Sequence, residues 1–433
     1  MPIPSLLVHR VRKWSHVTPV ISGIFRVLIA LVFVGVLTGC ATYASRVRAP
    51  REAFEAGNYS LAIEELQSLA ERKDTDELLY WMDLGLVHHS QGNYLEAIQA
   101  FQNAEKLSEV HDYTSLSEEA GSVILSDEVV KYNGEDFEKL LVNVYLAIDY
   151  TLLGQLESAL VEARKVNHKL DLMISKGKLP YEQNVFAKYL AAVLFEAQGE
   201  WNDAFVDYRQ LLKWKKGESA PYLAVPLLRL ADKLQAQQEL VEYRVKFPGV
   251  NHYRLSKKDG EVVVVFEQGK VPIKVPSESF RLVPRFQKRL YRNWKATISS
   301  PELSSRAQAY VLFDIEATAI KELEIRMAGI VAKKIAGIAA KEAIAEGMRA
   351  ATKDDLVGAV TRLFLHAQDQ ADLRSWSTLP ARLQIARLTL PAGRHDIVLD
   401  MVDKFSGQTL KHSWPNVEIK GGNIVFLKYR ALD

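Results

Sequence analysis

Ten histidines are scattered along the chain, and His88-His89 is their only adjacent pair. No carboxylate stands at helical metal-ligand spacing around that pair, so a helix surface accounts for it better than a metal site. The single cysteine, Cys40, excludes an internal disulfide framework and a cysteine-based zinc site. No HExxH, GxSxG, GxxxxGK[ST] or GxGxxG pattern occurs, which removes the common zinc-protease, hydrolase and nucleotide-binding signatures. Carboxylate pairs such as Glu64-Glu65 and Asp354-Asp355 read as ordinary helix surface, and an acid pair drawn from distant segments is invisible in sequence. One cluster mixes cations with rings: Arg281, Arg285, Phe286, Lys288, Arg289, Tyr291, Arg292, Trp294 and Lys295. Such interleaving stacks on nucleic acid or carbohydrate or meets anionic headgroups, or else it is a solvated face with its rings turned inward. Lys+Arg 55 against Asp+Glu 53 gives a net charge of +2, too balanced for a nucleic-acid partner. These residues point to no enzyme and no metal or soluble cofactor.

The elements that carry them begin with a processed leader. Residues 1–39 hold Arg10, Arg12, Lys13 and Arg26 and no acid, and an unbroken apolar run from Val27 to Leu37 leads into Thr38-Gly39-Cys40. A basic start, a short apolar stretch and small residues describe a secretory signal. The stretch is short for the roughly 20 residues of a membrane span. Leu37, Thr38, Gly39 and Cys40 resemble the lipobox of bacterial lipoproteins. That resemblance implies cleavage before Cys40, a diacylglycerol on its thiol and an acyl group on the new amino terminus. Several chains on one residue anchor far more firmly than one. Ala41 and Thr42 follow, with no aspartate directly after the cysteine, which implies the outer membrane, facing the periplasm. Loss of residues 1–39 takes the net charge from +2 to about −2.

With 48% hydrophobic and 25% charged residues, the 433-residue chain is an ordinary globular protein of two or three domains. A hexapeptide recurs in its first half: Gly57-Asn58-Tyr59-Ser60-Leu61-Ala62, then Gly92–Ala97, Gly154–Ala159 and Gly199–Ala204. Each reads Gly, polar, large apolar, two variable residues, Ala, flanked by helical patterning. Glycine suits a turn with positive φ, and alanine suits close approach of two helices. Trp81, Leu84, Gly85, Gly92, Tyr94, Ala97, Phe101 and Ala104 in the second copy resemble the tetratricopeptide repeat (TPR), as do Leu146, Ala147, Tyr150, Gly154 and Ala159 in the third. Ala192, Phe195, Gly199, Trp201, Ala204 and Tyr208 do so in the fourth. The first copy is truncated, a fifth pair at about 222–246 is degenerate, and insertions fall at 107–134 and 167–180.

The TPR resemblance implies a superhelix lined on its concave face by the first helix of each unit. Carried over, the lining is Leu79, Met82, Leu86 and His89, then Leu141, Val144 and Ile148, then Phe186, Tyr189 and Val193. It lacks the Lys, Asn and Arg of a carboxylate clamp, so an apolar helix or strand is the expected occupant. That occupant is either an envelope protein or peptide, or the chain's own C-terminal half.

Beyond Phe247-Pro248-Gly249 the pattern turns to β. Strands are expected at Glu261–Phe266, Ala307–Ala317, Arg382–Leu390, His395–Asp403, Asn416–Ile419 and Asn423–Tyr429. A helical insertion at about 318–370 carries an amphipathic stretch, 320–350, with Lys333, Lys334 and Lys341 beside its apolar positions. The expected fold class is α+β: an N-terminal all-α TPR superhelix (51–247), then an antiparallel β-sandwich-like domain (250–433) with an inserted amphipathic helix. Residues 1–39 form the signal and 40–50 a lipidated linker. Two motifs, EQGKVPIK around Gln268, Gly269, Pro272 and Lys274, and ADLRSWSTLP around Asp372, Arg374, Trp376 and Pro380, complete a likeness to a family of bacterial TPR lipoproteins. Asp372 and Arg374 suit a pair at a helix end, and Trp376 an anchor. The expectation is a periplasm-facing, outer-membrane lipoprotein acting as a non-enzymatic protein-binding scaffold in the envelope, for example on a cell-wall synthase. The alternatives are membrane interaction or remodelling through helix 320–350, or a periplasmic hydrolase.

Overall fold

The computed structural model describes residues 43–118, 130–175, 185–215, 220–250, 256–366 and 369–433. The lipobox residues Leu37, Thr38, Gly39 and Cys40 lie outside them. The chain divides into Met1–Arg46, of which one helical turn at Tyr43–Arg46 is described, and a compact unit from Val47 to Asp433.

The compact unit opens with five helical hairpins: α1 (Arg48–Glu55) with α2 (Tyr59–Ala70), α3 (Glu77–Gln91) with α4 (Tyr94–Glu118), and α5 (Asp136–Leu152) with α6 (Leu156–Ser175). Then come α7 (Val185–Ala197) with α8 (Trp201–Trp214), and α9 (Ala224–Lys233) with α10 (Gln237–Lys246). The hexapeptide builds the first four turns. Gly57, Gly92, Gly154 and Gly199 take φ of 76°, 94°, 74° and 78°, a left-handed conformation glycine adopts without a Cβ penalty. Ala62, Ala97, Ala159 and Ala204, five residues on, are completely buried between paired helices. In the fifth hairpin Gln235 occupies the glycine position at φ 57°, and Leu240 replaces the alanine. A Cβ at Gly85 would lie 2.6 Å from the Phe101 ring, so α3 and α4 pack at a distance only glycine permits.

The second part holds β1 (Asp259–Gln268), β2 (Ile273–Pro276), β3 (Pro284–Gln287), β4 (Trp294–Ser300), β5 (Ser305–Gln308) and β6 (Tyr310–Asp314). It continues through helices α11 (Ile315–Thr352) and α12 (Asp355–His366) to β7 (Arg382–Pro391), β8 (Gly393–Asp403), β9 (Thr409–Ile419) and β10 (Ile424–Ala431). One sheet runs β10-β1-β7-β6, another β5-β4-β8-β9, and β2 pairs with β3 alone. Strand β10 lies parallel to β1, with Glu261 opposite Ile424 and Gln268 opposite Ala431, whereas the sequence suggested only antiparallel strands. The chain returns to β1 by way of the whole second sheet, a connection long enough for parallel pairing.

Val262, Val264 and Phe266 of β1 share one core with Trp294, Ala296 and Ile298 of β4 and Leu399 and Met401 of β8. The alternate residues Glu261, Val263, Val265 and Glu267 face the other way and are also buried. A strand covered on both faces needs apolar residues at successive positions, which explains the run Val262–Phe266. Strand β6 stops at Asp314, short of the expected Ala317, because the Asp314 side chain accepts the Ala317 N–H at 2.9 Å and caps α11.

Candidate functional site

The first helices α3, α5 and α7 carry the expected lining, and every one of those side chains is buried. Leu79, Met82, Leu86, His89, Phe186 and Val193 are completely covered, and Leu141, Val144, Ile148 and Tyr189 are no more than 2% exposed. Helix α5 packs on β10, and α7 on β6 and β7. The segment before β7 closes the middle. The Trp376 ring lies 5.9 Å from both Phe101 and Tyr145, and its backbone N–H donates to Glu138 Oε1 at 2.8 Å. Thr378 donates its N–H and its hydroxyl to Asp83 Oδ1, at 3.1 and 2.8 Å. The chain's own C-terminal half fills the surface on which a partner segment was one of the two expected occupants.

Charged groups stitch this interface. Arg229 on α9 grips Glu261 of β1 through two bonds of 2.7 and 2.9 Å and Glu196 of α7 at 3.0 Å. Arg387 of β7 bonds the same two carboxylates. Burial alone would push the Glu261 carboxyl up, but Arg387 and Arg229 bring it down to about 2. Nearby, His89 Nδ1 meets Asp149 Oδ1 at 2.5 Å, His89 Nε2 stands 3.4 Å from Glu267 Oε1, and Lys428 donates to the His89 carbonyl. Burial again pushes Glu267 up, and His89, Arg430 and Lys428 hold it at about 2. His89, Asp149 and Glu267 have the makings of an acid–base relay, yet all three are sealed between helices and sheet. Here they serve packing.

The two short motifs meet beside this seam. Val271 N–H donates to Leu379 O at 3.0 Å, and Ala381 N–H to Gln268 O at 2.9 Å. Gln268 receives Gln384 Nε2 at 2.5 Å and donates to Arg292 O at 2.7 Å. Gly269 turns at φ 70° directly under the Tyr291 ring, and Pro272 and Pro380 are buried. Arg374 holds Asp372 through two bonds of 2.9 Å, reaches Asp76 at 3.4 Å and donates to Val130 O at 2.7 Å. Lys274 Nζ bonds Glu135 Oε1 at 2.8 Å, and Arg326 of α11 pairs with the same carboxylate.

Where β2, the 371–374 segment, the start of α5 and α11 converge lies a cavity of about 450 Å³. Its walls are Glu135, Lys274, Asp372, Arg326, Lys333 and Lys334 on the polar side and Pro284, Leu323, Ile325, Gly329 and Ile330 on the other. Glu138, one turn into α5, accepts from Tyr132 Oη at 2.6 Å and from the Glu135 N–H at 3.0 Å. Burial, with Glu135 alongside, raises its carboxyl to about 7. Glu135, Glu138 and Arg326 are absent from the residues that motif reading singles out. The first two were legible as carboxylates at the N-cap and the third helical position before the apolar run of α5.

Two lysines of the amphipathic stretch bond to the chain itself. Lys341 is buried against Asp369, Lys334 donates to Gln370 O at 2.8 Å, and Lys333 and Lys334 line the cavity. The basic-aromatic cluster also divides: Trp294 enters the core, and Arg289 donates to Val271 O at 2.6 Å and Ser377 O at 2.8 Å. Among the described residues no helix is long and apolar enough to cross a membrane, and no group of three His, Cys, Asp or Glu is placed to hold a metal.

The chain matches no family model and no curated protein. Solved structures similar to it include nearly identical TPR-like repeats from Podosopora anserina (14% identity, TM-score 0.33, covering 47% of this chain and 91% of that one). The apo form of RapI is similar over 46% of this chain and 67% of its own, at 12% identity and TM-score 0.34. PilW, a type IV pilus biogenesis factor, covers 48% and 94%, at 13% identity and TM-score 0.24.

Proposed function

We propose that this chain is a lipid-tethered, non-enzymatic scaffold of the bacterial envelope that recruits a protein partner through the α11–α12 hairpin rather than through its repeat groove. The observation that carries this reading is a contrast in burial. The groove lining is covered by the chain itself, while Ile335, Ile344, Met348, Leu356 and Leu363 on the hairpin stand exposed, Leu356 at 61% and Ile335 at 58%. Helix α11 runs 38 residues, about 57 Å, and the apolar side chains exposed along the two hairpin helices suit an interaction surface. The tether rests on Leu37-Thr38-Gly39-Cys40, and the outer-membrane address on the absence of aspartate directly after the cysteine.

The test places a photo-crosslinking side chain at Ile335, Met348 or Leu363, or at Met82, Val144 or Tyr189, in cells making the lipidated protein. Hairpin positions are expected to capture one reproducible partner, and groove positions only this chain's C-terminal half. A partner captured from Met82, Val144 or Tyr189 overturns the reading. The same exposed hairpin residues also suit insertion into a lipid surface. The second reading therefore predicts hairpin crosslinks to lipid in place of protein.

A further inference from the structure

We propose that the cavity at the root of α11 binds a small amphiphile with a dianionic head, of phosphate-monoester chemistry, and a short apolar body. Its volume of about 450 Å³ is that of a small-molecule site. Four cations, Lys274, Arg326, Lys333 and Lys334, stand in its walls against two carboxylates, which leaves a net lining charge of +2. Both carboxylates are already neutralised by the fold: Glu135 by Lys274 and Arg326, Asp372 by the two-bonded Arg374. An entering anion therefore meets neither lining carboxylate unpaired.

The site is built rather than superficial. The Lys274 side chain is only 5% exposed, its Nζ lies 5.8 Å from the Phe286 ring centroid, and Glu135 fixes its position. Charged hydrogen bonds to phosphate in such partly desolvated surroundings are among the strong ones. The opposite wall is apolar, from Leu323, Ile325 and Ile330, which calls for a ligand with a hydrocarbon portion and disfavours a bare inorganic anion. Gly329 contributes empty space: a Cβ there would meet no atom within 4 Å.

That glycine supplies the decisive variant. Gly329→Leu places a side chain at the cavity while replacing a mid-helix glycine, a change that favours the helix. The experiment is titration calorimetry on the full-length lipidated protein in a nonionic detergent, with n-hexyl phosphate as probe and inorganic phosphate and hexanol as controls. Saturable binding of hexyl phosphate at one site is expected, at least about tenfold tighter than either control. Lys333→Gln/Lys334→Gln is expected to weaken it by about tenfold or more, and Gly329→Leu to abolish it with no fall in melting temperature. No saturable binding, or binding that both variants leave unchanged, overturns the proposal. Competition separates the two natural sources of this chemistry. Displacement of hexyl phosphate by phosphatidic acid in the micelles, but not by phosphatidylcholine, identifies a lipid headgroup. Absence of displacement identifies a soluble phosphomonoester.

Discussion

The surface of α3, α5 and α7 and the surface of the α11–α12 hairpin look alike in sequence, since both set apolar side chains at helical spacing among polar ones. They end in opposite conditions. The first is sealed beneath β1, β7, β10 and Trp376; the second leaves Ile335, Leu356 and Leu363 in water. Helical periodicity states that a face is apolar, and says nothing of what covers it. Coverage comes from contacts far apart in the chain, such as Arg229 to Glu261 and Thr378 to Asp83. The difference is between a face that the chain itself covers and one that it leaves exposed.

The largest expected effect tests that separation directly. Trp376→Ala removes a buried ring packed on Phe101 and Tyr145, and should cost about 3–5 kcal/mol in urea or guanidinium unfolding. Leu363→Ala on the hairpin should stay within about 0.5 kcal/mol. Equal losses at the two positions would dissolve the distinction.

A second, smaller effect divides the carboxylates inside the covered seam. Glu138 has a folded pKa of about 7 against an ordinary 4.5, from burial and from Glu135. Between those values the folded protein binds the proton more tightly than the unfolded chain, so stability falls as pH rises from about 4.5 to 7. His89 is also raised: burial pulls it down, but Asp149 and Glu267 together push it up further, so its contribution likewise fades on the alkaline side. Glu261 and Glu267, held at about 2 by their arginine, lysine and histidine neighbours, contribute stability that is lost as pH falls from about 4.5 toward 2. The Glu138→Gln protein should show a flatter stability profile between pH 5 and 7 in denaturant titrations, and an unchanged acid limb. An unchanged slope between pH 5 and 7 would remove Glu138 from the account.

Much of the fold was legible because local chemistry dictated it. The hexapeptide encodes left-handed glycines and buried alanines in four turns, and the run Val262–Phe266 encodes a strand covered on both faces. The pattern of strand β4 is masked in sequence by the charges of Arg289, Arg292 and Lys295 around it. Yet Trp294, Ala296, Ile298 and Ser300 alternate with more exposed residues at the period of a strand. Strands β2 and β3 are four residues each, with prolines at Pro276 and Pro284, and carry too little pattern to register. The cavity was less legible still. Lys274, Asp372 and Glu135 come from three separate segments, and only the closing of β1 and β7 onto the helices brings them together.

The smallest effect probes whether the two regions unfold as one. Gln235 and Lys353 are both non-glycine residues in left-handed backbone, at φ 57° and 53°; Gln235 turns the fifth hairpin and Lys353 ends α11. Glycine at either position relieves a Cβ strain of about 1 kcal/mol and gives part of it back to the unfolded chain's freedom. If the repeat array and the sheet form one cooperative body, Gln235→Gly should raise global stability by up to about 0.5 kcal/mol. The hairpin is held to the rest mainly at its root, through Arg326, Lys334 and Lys341. Its far end can therefore open by itself, and Lys353→Gly should slow amide exchange in α12 without moving the global unfolding midpoint. A midpoint shift as large as that of Gln235→Gly would mean that the hairpin is coupled to the core. Partner docking on its exposed face would then be felt throughout the molecule.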